Sequence, residues 1–283
     1  MTRPRPAGES RIDAHQHFWR LTRGDYGWLT PDQAAIYRDF QPADLAPLMA
    51  RTSMTRAVLV QAAPTVAETR FLLATAAATD FVAGVVCWAP LDAPGAADVL
   101  ADLSRNPALK GVRPMLHDLP DVDRVLRPAL APALRAVADL GLAFDVLVRP
   151  AHLPALRALL DRHPSLRLVI DHAAKPEIAA GRVEPWATDM RALARNTGAL
   201  VKLSGLVTEA EPDWSVEHLR PYVDLLLAEF GPERMMFGSD WPVVTMRASY
   251  EAWMATTEAL LGRLDAAARA AIFGGTAARF YRL

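Results

Sequence analysis

The chain has 283 residues, 52% of them hydrophobic, so it is long enough to bury a large core in one domain or two. Its formal net charge of -1, with basic residues spread along the sequence, gives no electrostatic footprint for nucleic acid. The single cysteine, Cys87, excludes an intrachain disulfide and gives no support to a cysteine-based zinc site. It lies in an apolar run and is predicted to be buried, which suits a reducing compartment.

Residues 1–10 are polar and contain proline, so they predict a flexible N-terminal tail and do not resemble a signal peptide. No uninterrupted apolar run is long enough to cross a bilayer. We therefore expect a cytoplasmic protein that acts on a small molecule, with no membrane and no nucleic-acid partner. A homo-oligomer is compatible with the sequence.

Eight short apolar runs predict strands that are buried on both faces, and a helical pattern follows each of them. The predicted strands lie within Ile12–Phe18, Ala57–Gln61, Phe81–Trp88, Leu109–Arg113, Leu142–Val148, Leu166–His172, Leu200–Ser204 and Arg234–Phe237. The predicted helices begin at Pro42 and after Thr65, and then span Ala93–Leu103, Pro128–Leu140, Leu153–Asp161, Pro185–Arg195, Val216–Phe230, Tyr250–Leu264 and Ala266–Phe273.

Alternating strands and helices indicate βαβ units, which fit either an open doubly wound sheet or a closed (β/α)8 barrel. Eight units and a length near the ~250 residues typical of the barrel favour the TIM barrel. No Gly-x-Gly-x-x-Gly follows the first strand, which argues against a dinucleotide-binding fold. No composition shift marks a second domain, so we expect residues 1–283 to form one. Between the first strand and the first helix, Tyr26 and Trp28 indicate an ordered loop that covers something.

His15 and His17 are separated by one residue, so in a strand they project from the same face. Two imidazoles held this way can bind a metal, or orient a water and a substrate oxygen. Further polar residues occur where other predicted strands end, and in a barrel these ends form the active-site face. They are Gln61, Arg113, His172, Lys175, Lys202, Ser204 and Asp240.

Several of these residues have structural alternatives. Asp240 can cap a turn, Arg113 can be an ion-pair partner and Lys175 can be a solvated loop lysine. Asp171 and His172 are adjacent in a predicted strand, so we expect only one of them to face the barrel mouth. The side chain of Lys202 faces either the interior or the helix layer. Of the other histidines, His152, His163 and His218 are predicted to lie on the surface, and His117 is left open.

Four motifs together resemble the amidohydrolase superfamily, and most of all its sugar-lactonase and pyrone-dicarboxylate-lactonase branch. They are Asp13-Ala14-His15-Gln16-His17-Phe18-Trp19, Asp171-His172-Ala173-Ala174-Lys175-Pro176, Lys202-Leu203-Ser204-Gly205-Leu206 and Phe237-Gly238-Ser239-Asp240-Trp241-Pro242. They follow one another from the first strand to the eighth, and Tyr26-Gly27-Trp28-Leu29 is similar to the aromatic loop of that branch. The resemblance implies a (β/α)8 barrel that opens a lactone ring, with His15, His17, His172 and Asp240 at its catalytic centre.

The resemblance also bears on metal binding. Two-metal members of the superfamily carry a lysine at the end of strand four and a histidine at the end of strand five, and this chain has Arg113 and Val148-Arg149 there. The resemblance therefore implies at most one divalent ion, zinc by preference, held by some of His15, His17, His172 and Asp240. Metal-free catalysis stays open, and no organic cofactor is expected.

On this basis Asp240 is the predicted general base, and the three histidines polarise the lactone carbonyl. The candidates for holding the substrate are Arg113, Lys175, Trp28, Gln61 and His117. Two other functions remain open. One is a metal-dependent, non-oxidative decarboxylase of the same superfamily, and the other is a non-catalytic barrel that binds a sugar acid.

Overall fold

The computed structural model describes residues 10–283, and in them eight parallel strands pair in sequence order. The strands are β1 (Ile12–Gln16), β2 (Arg56–Val60), β3 (Val82–Cys87), β4 (Leu109–Val112), β5 (Ala143–Val146), β6 (Arg167–Ile170), β7 (Leu200–Leu203) and β8 (Met235–Phe237). β8 returns to β1 through a short parallel bridge between Gln16 and Trp241. The predicted (β/α)8 barrel is confirmed.

Helices follow the strands in the predicted order. They are α1 (Pro42–Arg51), α2 (Val66–Ala77), α3 (Ala96–Leu103), α4 (Ala131–Asp139), α5 (Leu153–Arg162), α6 (Trp186–Asn196), α7 (Val216–Glu229), α8 (Tyr250–Leu260), α9 (Ala266–Ala270) and α10 (Thr276–Tyr281). The last two helices were predicted too long. α8 ends at Leu260, and the chain after α9 widens into a π-type turn over Ala271–Gly275.

The apolar runs are buried on both faces because alternate strand residues enter two different cores. Residues such as Val58, Val60 and Val169 pack inside the barrel, while their neighbours in sequence pack against the helices. The interior core also contains Phe280 and Tyr281 of α10. The C-terminal helix therefore closes the barrel at the end where the strands begin, a role that its short sequence pattern did not predict.

The seam between β8 and β1 is unusually close. The amide of Asp240 donates to the carbonyl of His15 (2.8 Å), and the amide of His17 donates to the carbonyl of Trp241 (2.7 Å). A Cβ atom at Gly238 would lie 2.6 Å from the Cβ of His15, which is closer than side-chain carbons approach one another. Glycine at this position is therefore what allows the two strands to meet.

Two further predictions concern burial. Cys87 is fully buried, as predicted. His152 was predicted on the surface but is buried, and this prediction was wrong. It ends a short 3-10 turn before α5, and its Nδ1 atom accepts a hydrogen bond from the Arg149 amide at 3.3 Å, so the ring folds back under the turn. His163 is half-buried and His218 exposed.

The predicted tail lies outside the described residues except for Ser10, which is exposed and hydrogen-bonds Thr55. Between residues 10 and 283, none of the helices combines the length and the apolar character that a membrane span requires.

The close contact between β1 and β8 predicts that a methyl group added at Gly238 destabilises the protein. Gly238→Ala should lower the free energy of unfolding by about 1–3 kcal/mol, because the added carbon overpacks the contact with His15. Urea unfolding followed by tryptophan fluorescence measures this. Gly198→Ala is the matched control, since no atom lies within 4 Å of its added Cβ. Equal stability of the two variants would contradict the packing argument.

Candidate active site

A cleft with a volume of about 370 Å³ opens where the strands end. Predicted site residues on its wall are His17, Trp28, Arg113, His117, His172, Lys175 and Asp240. Residues that the sequence did not single out complete it, namely Gln33, Ala62, Met115, Asp118, Leu147, Thr208, Glu209, Val243 and Met246. These come from loops after several different strands, so only the closed barrel brings them together.

His15 and His17 meet at the floor of the cleft. Their Nε2 atoms are 3.2 Å apart and their ring centroids 4.9 Å apart. The pairing of β1 with β2 shifts register between Asp13 and Gln16, so the strand is not regular at this point. His17 lines the cleft, whereas His15 is fully buried beneath it. The predicted pair is present, but its two members lie at different depths.

His172 enters the site through an unusual backbone. β6 ends at Ile170, and the four residues from His172 to Lys175 all have positive φ, between 50° and 61°. Such a left-handed run of non-glycine residues costs roughly 1–2 kcal/mol per residue. It turns His172 toward the cleft, which His172 lines, while Asp171 lies fully buried beneath it, so only one of the two faces the mouth, as expected. A Cβ at Gly205 would lie 2.6 Å from the His172 ring, which explains the glycine after Ser204.

Asp240 lies opposite the three histidines. Its Oδ1 atom is 3.3 Å from His17 Nε2, 3.7 Å from His15 Nε2 and 3.7 Å from His172 Nε2. Its backbone is also left-handed, with φ of 57°. Burial raises the pKa of Asp240, but His172, His17 and Lys175 more than offset this and hold the pKa below its ordinary value. The carboxylate is therefore ionised at neutral pH.

Asp13 holds this constellation together, and the sequence analysis missed it. Its carboxylate accepts hydrogen bonds from the backbone amides of Ser239 (2.8 Å) and His15 (3.2 Å) and from the hydroxyl of Tyr250 (3.1 Å). Burial, only partly offset by these donors, raises the pKa of Asp13 to about 6. An aspartate two residues before the His-x-His pair was the available signal.

Arg113 is an ion-pair partner, one of the alternatives that the sequence left open, and it also lines the cleft. One guanidinium nitrogen bonds Asp171 Oδ2 (3.2 Å), another donates to the Gln61 carbonyl, and the group still faces the cleft. Gln61 itself is fully buried, and its side-chain amide donates to the Arg113 carbonyl (2.9 Å). The structure thus does not place Gln61 in the substrate cleft. It braces Arg113 instead, because its side-chain amide bonds the backbone that follows β4.

Two side chains of the outer wall each lie against a carboxylate. Lys175 forms an ion pair with Glu209, and His117 Nε2 lies 2.9 Å from Asp118 Oδ2. Burial, with help from Lys175 and Arg113, lowers the pKa of His117 to about 4 despite Asp118, so the ring is neutral at pH 7. Sequence reasoning missed Glu209, which lies in the loop after β7 with no motif to mark it.

The aromatic loop after β1 covers one side of the cleft, as predicted. Trp28 lines the cleft, and its indole N–H donates to the carbonyl of Ala62 at 2.7 Å. Thr65 caps α2, because its hydroxyl accepts from the Glu68 amide. The Glu68 carboxylate accepts from the amides of Ala62 and Ala63. It holds the loop on which Trp28 rests.

A charged layer lies beneath the histidines, inside the barrel. Lys202 is fully buried, and its contacts with Asp145, Asp171 and His15 show that its side chain faces the interior and not the helix layer. Its ammonium lies 2.5 Å from Asp145 Oδ2 and 3.0 Å from Asp171 Oδ1, and the Tyr281 hydroxyl donates to Asp145 Oδ2 at 2.6 Å. The C-terminal helix thus reaches the charges that support the site.

The spacing of three donor atoms fits one metal ion. His15 Nε2, His17 Nε2 and Asp240 Oδ1 are separated by 3.2, 3.3 and 3.7 Å. The edges of a tetrahedral zinc site are about 3.3 Å long when the bonds are about 2.0 Å. Among residues 10–283, these three form the group that could hold an ion, and His172 is not part of it. His17 is also oriented for ligation, because its Nδ1–H donates to the Val60 carbonyl at 2.8 Å.

A (β/α)8 barrel with a His-x-His pair and an aspartate at its carboxyl-terminal face defines a metal-dependent-hydrolase-like protein. The chain belongs to the amidohydrolase family, which matches residues 12–283. An L-fucono-1,5-lactonase from Burkholderia ambifaria is 48% identical over 277 residues, covering 96% of both chains. An L-fucono-1,5-lactonase from Burkholderia multivorans is 40% identical over 292 residues, covering 98% of this chain and 97% of the relative. The family predicted from the motifs is confirmed.

Among solved structures, an amidohydrolase from Burkholderia multivorans with bound zinc superimposes with a TM-score of 0.90 and 40% identity. The match covers 97% of this chain and 99% of that one. Zinc in that protein agrees with the donor spacing in this one.

The donor spacing predicts that at saturation one zinc ion binds per chain, and not two. His17→Gln should weaken binding by about tenfold or more, because one of three ligands is lost. Equilibrium dialysis with atomic absorption measures stoichiometry and affinity. His218→Gln, an exposed histidine, is the control. Two ions per chain, or unchanged affinity in His17→Gln, would be incompatible with this site.

Proposed function

We propose that this protein hydrolyses the ring ester of a sugar-acid lactone, with L-fucono-1,5-lactone as the first candidate. The observation that carries the proposal is the ionised Asp240 carboxylate at the floor of the cleft, facing three imidazoles. The two curated relatives described above support the substrate class, since both are L-fucono-1,5-lactonases.

In the proposed reaction Asp240 accepts a proton from a water molecule as its oxygen attacks the lactone carbonyl. Attack produces a tetrahedral intermediate with a negative oxygen. The intermediate collapses by breaking the bond to the ring oxygen, and protonated Asp240 returns its proton to that oxygen. One carboxylate can serve both steps because the attacking water and the leaving oxygen bind the same carbonyl carbon. The product is the open-chain hydroxy acid.

A cation and a neutral imidazole on the cleft wall suit the developing charge. The guanidinium of Arg113 faces the cleft, and His172, whose pKa burial holds well below its ordinary value, is held there by the hydrogen bond between its Nδ1 and Ser204 Oγ (2.8 Å). Both are preorganised for the oxyanion because their other contacts are buried. A zinc ion on His15, His17 and Asp240 would supply Lewis-acid polarisation of the carbonyl.

The charges on the wall favour a neutral, polyhydroxylated ring over a dicarboxylate. The charged residues that line the cleft are two cations, Arg113 and Lys175, and three carboxylates, Asp118, Glu209 and Asp240. Each cation already has a carboxylate partner, so none is free for a substrate carboxylate. The Lys175–Glu209 pair offers both a donor and an acceptor, which is what a sugar hydroxyl requires. Met246 and Val243 provide an apolar stretch for a deoxygenated carbon.

A metal-dependent decarboxylase of the same superfamily remains the alternative enzyme. Its product would be carbon dioxide, and chelation would abolish its activity. The relatives at 48% and 40% identity favour lactone hydrolysis over this alternative. A barrel that only binds a sugar acid has no need of an ionised carboxylate facing three histidines.

Asp240→Asn should lower kcat for lactone hydrolysis by about 10²–10⁴-fold, because the amide cannot accept the proton from water. A pH-indicator assay measures the rate, and circular dichroism checks the fold. Asp161→Asn, at an exposed position, is the matched control. A folded Asp240→Asn variant that turns over at the wild-type rate would show that Asp240 is not the base.

A substrate screen tests the charge argument. Aldono-1,5- and 1,4-lactones should be hydrolysed with kcat/KM at least about tenfold above that of a pyrone dicarboxylate, a difference of roughly 1.4 kcal/mol. The screen is run with and without a chelator, and carbon dioxide release is followed in parallel. Faster hydrolysis of the dicarboxylate would overturn the inference that the cleft wall favours a neutral, polyhydroxylated ring. Carbon dioxide release without ring opening would establish the decarboxylase.

A further inference from the structure

The contacts of His15 assign a protonation pattern that the sequence does not reveal. Its Nδ1 atom points down into the charged layer and lies 3.1 Å from the ammonium of Lys202, with which it forms a hydrogen bond. Asp171 Oδ1 is also near this nitrogen, at 3.3 Å. The ammonium of Lys202 is the nearer neighbour both of this oxygen, at 3.0 Å, and of Nδ1. The bond at Nδ1 therefore comes from Lys202.

An ammonium group can only donate, so Nδ1 of His15 must accept. In a neutral imidazole the proton then lies on Nε2. Lys202 is anchored for this purpose, because its ammonium also donates to Asp145 Oδ2 (2.5 Å), which in turn accepts from Tyr281 (2.6 Å). All of these side chains are buried, so water does not compete for the bond.

The next contact continues the same pattern. His17 Nδ1 lies 2.8 Å from the carbonyl of Val60, which can only accept, so the proton of a neutral His17 lies on Nδ1. Its Nε2 is then an acceptor, 3.2 Å from the Nε2 of His15. One consistent chain of donors and acceptors runs from Lys202 through His15 and His17 to Val60.

We propose that Lys202 is a positioning residue that holds His15 as the Nε2–H tautomer and so opposes zinc binding at this site. A zinc ion needs the lone pair of His15 Nε2. Binding must then move the proton to Nδ1, where it faces the Lys202 ammonium and breaks that hydrogen bond. The same barrel interior that positions His15 thus limits its use as a ligand.

Two longer contacts favour the opposite tautomer. Asp171 Oδ1 lies 3.3 Å from His15 Nδ1 and could accept from it. Arg113 Nη1 lies 3.5 Å from His15 Nε2 and could donate to it. This is longer than the 3.1 Å bond from Lys202, and the same Nη1 atom bonds Asp171 Oδ2 at 3.2 Å. The shorter bond decides the tautomer. Neither test of this proposal uses a lactone. The proposal can therefore fail while the proposed function stands, and the proposed function can fail while this proposal stands.

The tautomer is measured directly in the unmodified protein. Long-range ¹H–¹⁵N correlation spectra of the ¹⁵N-histidine-labelled, metal-free chain distinguish Nε2–H from Nδ1–H rings by their nitrogen shifts. The His15 signals are identified by their loss in His15→Gln. We expect an Nε2–H pattern for His15 and an Nδ1–H pattern for His17. An Nδ1–H pattern for His15 overturns the proposal, whatever the variants below show.

Zinc affinity provides the second test. Lys202→Met is combined with Asp145→Asn, so that no unpaired carboxylate remains where the pair was. In this double variant Asp171 becomes the natural acceptor for Nδ1–H, and zinc should bind at least tenfold more tightly than in the wild type. Tyr281→Phe is the control, because it alters the Asp145 contact without touching His15, and its affinity should not change.

Equal zinc affinity in the wild type and a folded double variant would overturn the role of Lys202. So would a similar gain in Tyr281→Phe, since the effect would then come from loosening the interior and not from the tautomer.

Discussion

The carboxylate of Asp13 ties the first strand of the barrel to the last, and the positions of the His-x-His pair and Asp240 depend on that junction. It accepts from the amides of His15 and Ser239, so a single side chain aligns the His-x-His strand with the turn that carries Asp240. Gly238 permits the approach because it has no Cβ. The contacts that close the barrel therefore also assemble the site. The distances between Asp240 and the histidines follow from the backbone hydrogen bonds between β1 and the turn after β8.

Below the junction the barrel interior holds charged side chains beside apolar ones. Lys202, Asp145 and Asp171 are fully buried and lie within hydrogen-bonding distance of one another or of His15. Removing one member of such a group leaves an uncompensated charge, so the members act as a unit. The unit also connects distant parts of the chain. Tyr281, in the last helix, contacts Asp145, so the C-terminus supports the layer beneath the catalytic floor.

Most of the fold could be predicted because apolar periodicity and helix spacing are local properties. The eight strands and their order followed from that pattern, as did the burial of Cys87. The sequence did not show where backbone geometry departs from the regular element. Only His172 of the Asp171–His172 pair lines the cleft, as expected, but the reason is that the chain leaves β6 at Ile170 and becomes left-handed, and not that a strand alternates. His152 was placed on the surface because the sequence does not show that a short turn folds its ring inward.

The sequence by itself determined the class of the protein: eight apolar strands, and four motifs at their ends that place histidines and an aspartate on one face. It did so because apolar periodicity and short motifs are local properties that can be read directly from the sequence. Only the tertiary structure decided which polar residues act together. Gln61 turns away to brace Arg113, Glu209 joins Lys175, and Lys202 reaches His15 across 187 positions of chain. Hydrogen bonds and ion pairs depend on distances of about 3 Å, and closure of the barrel sets those distances.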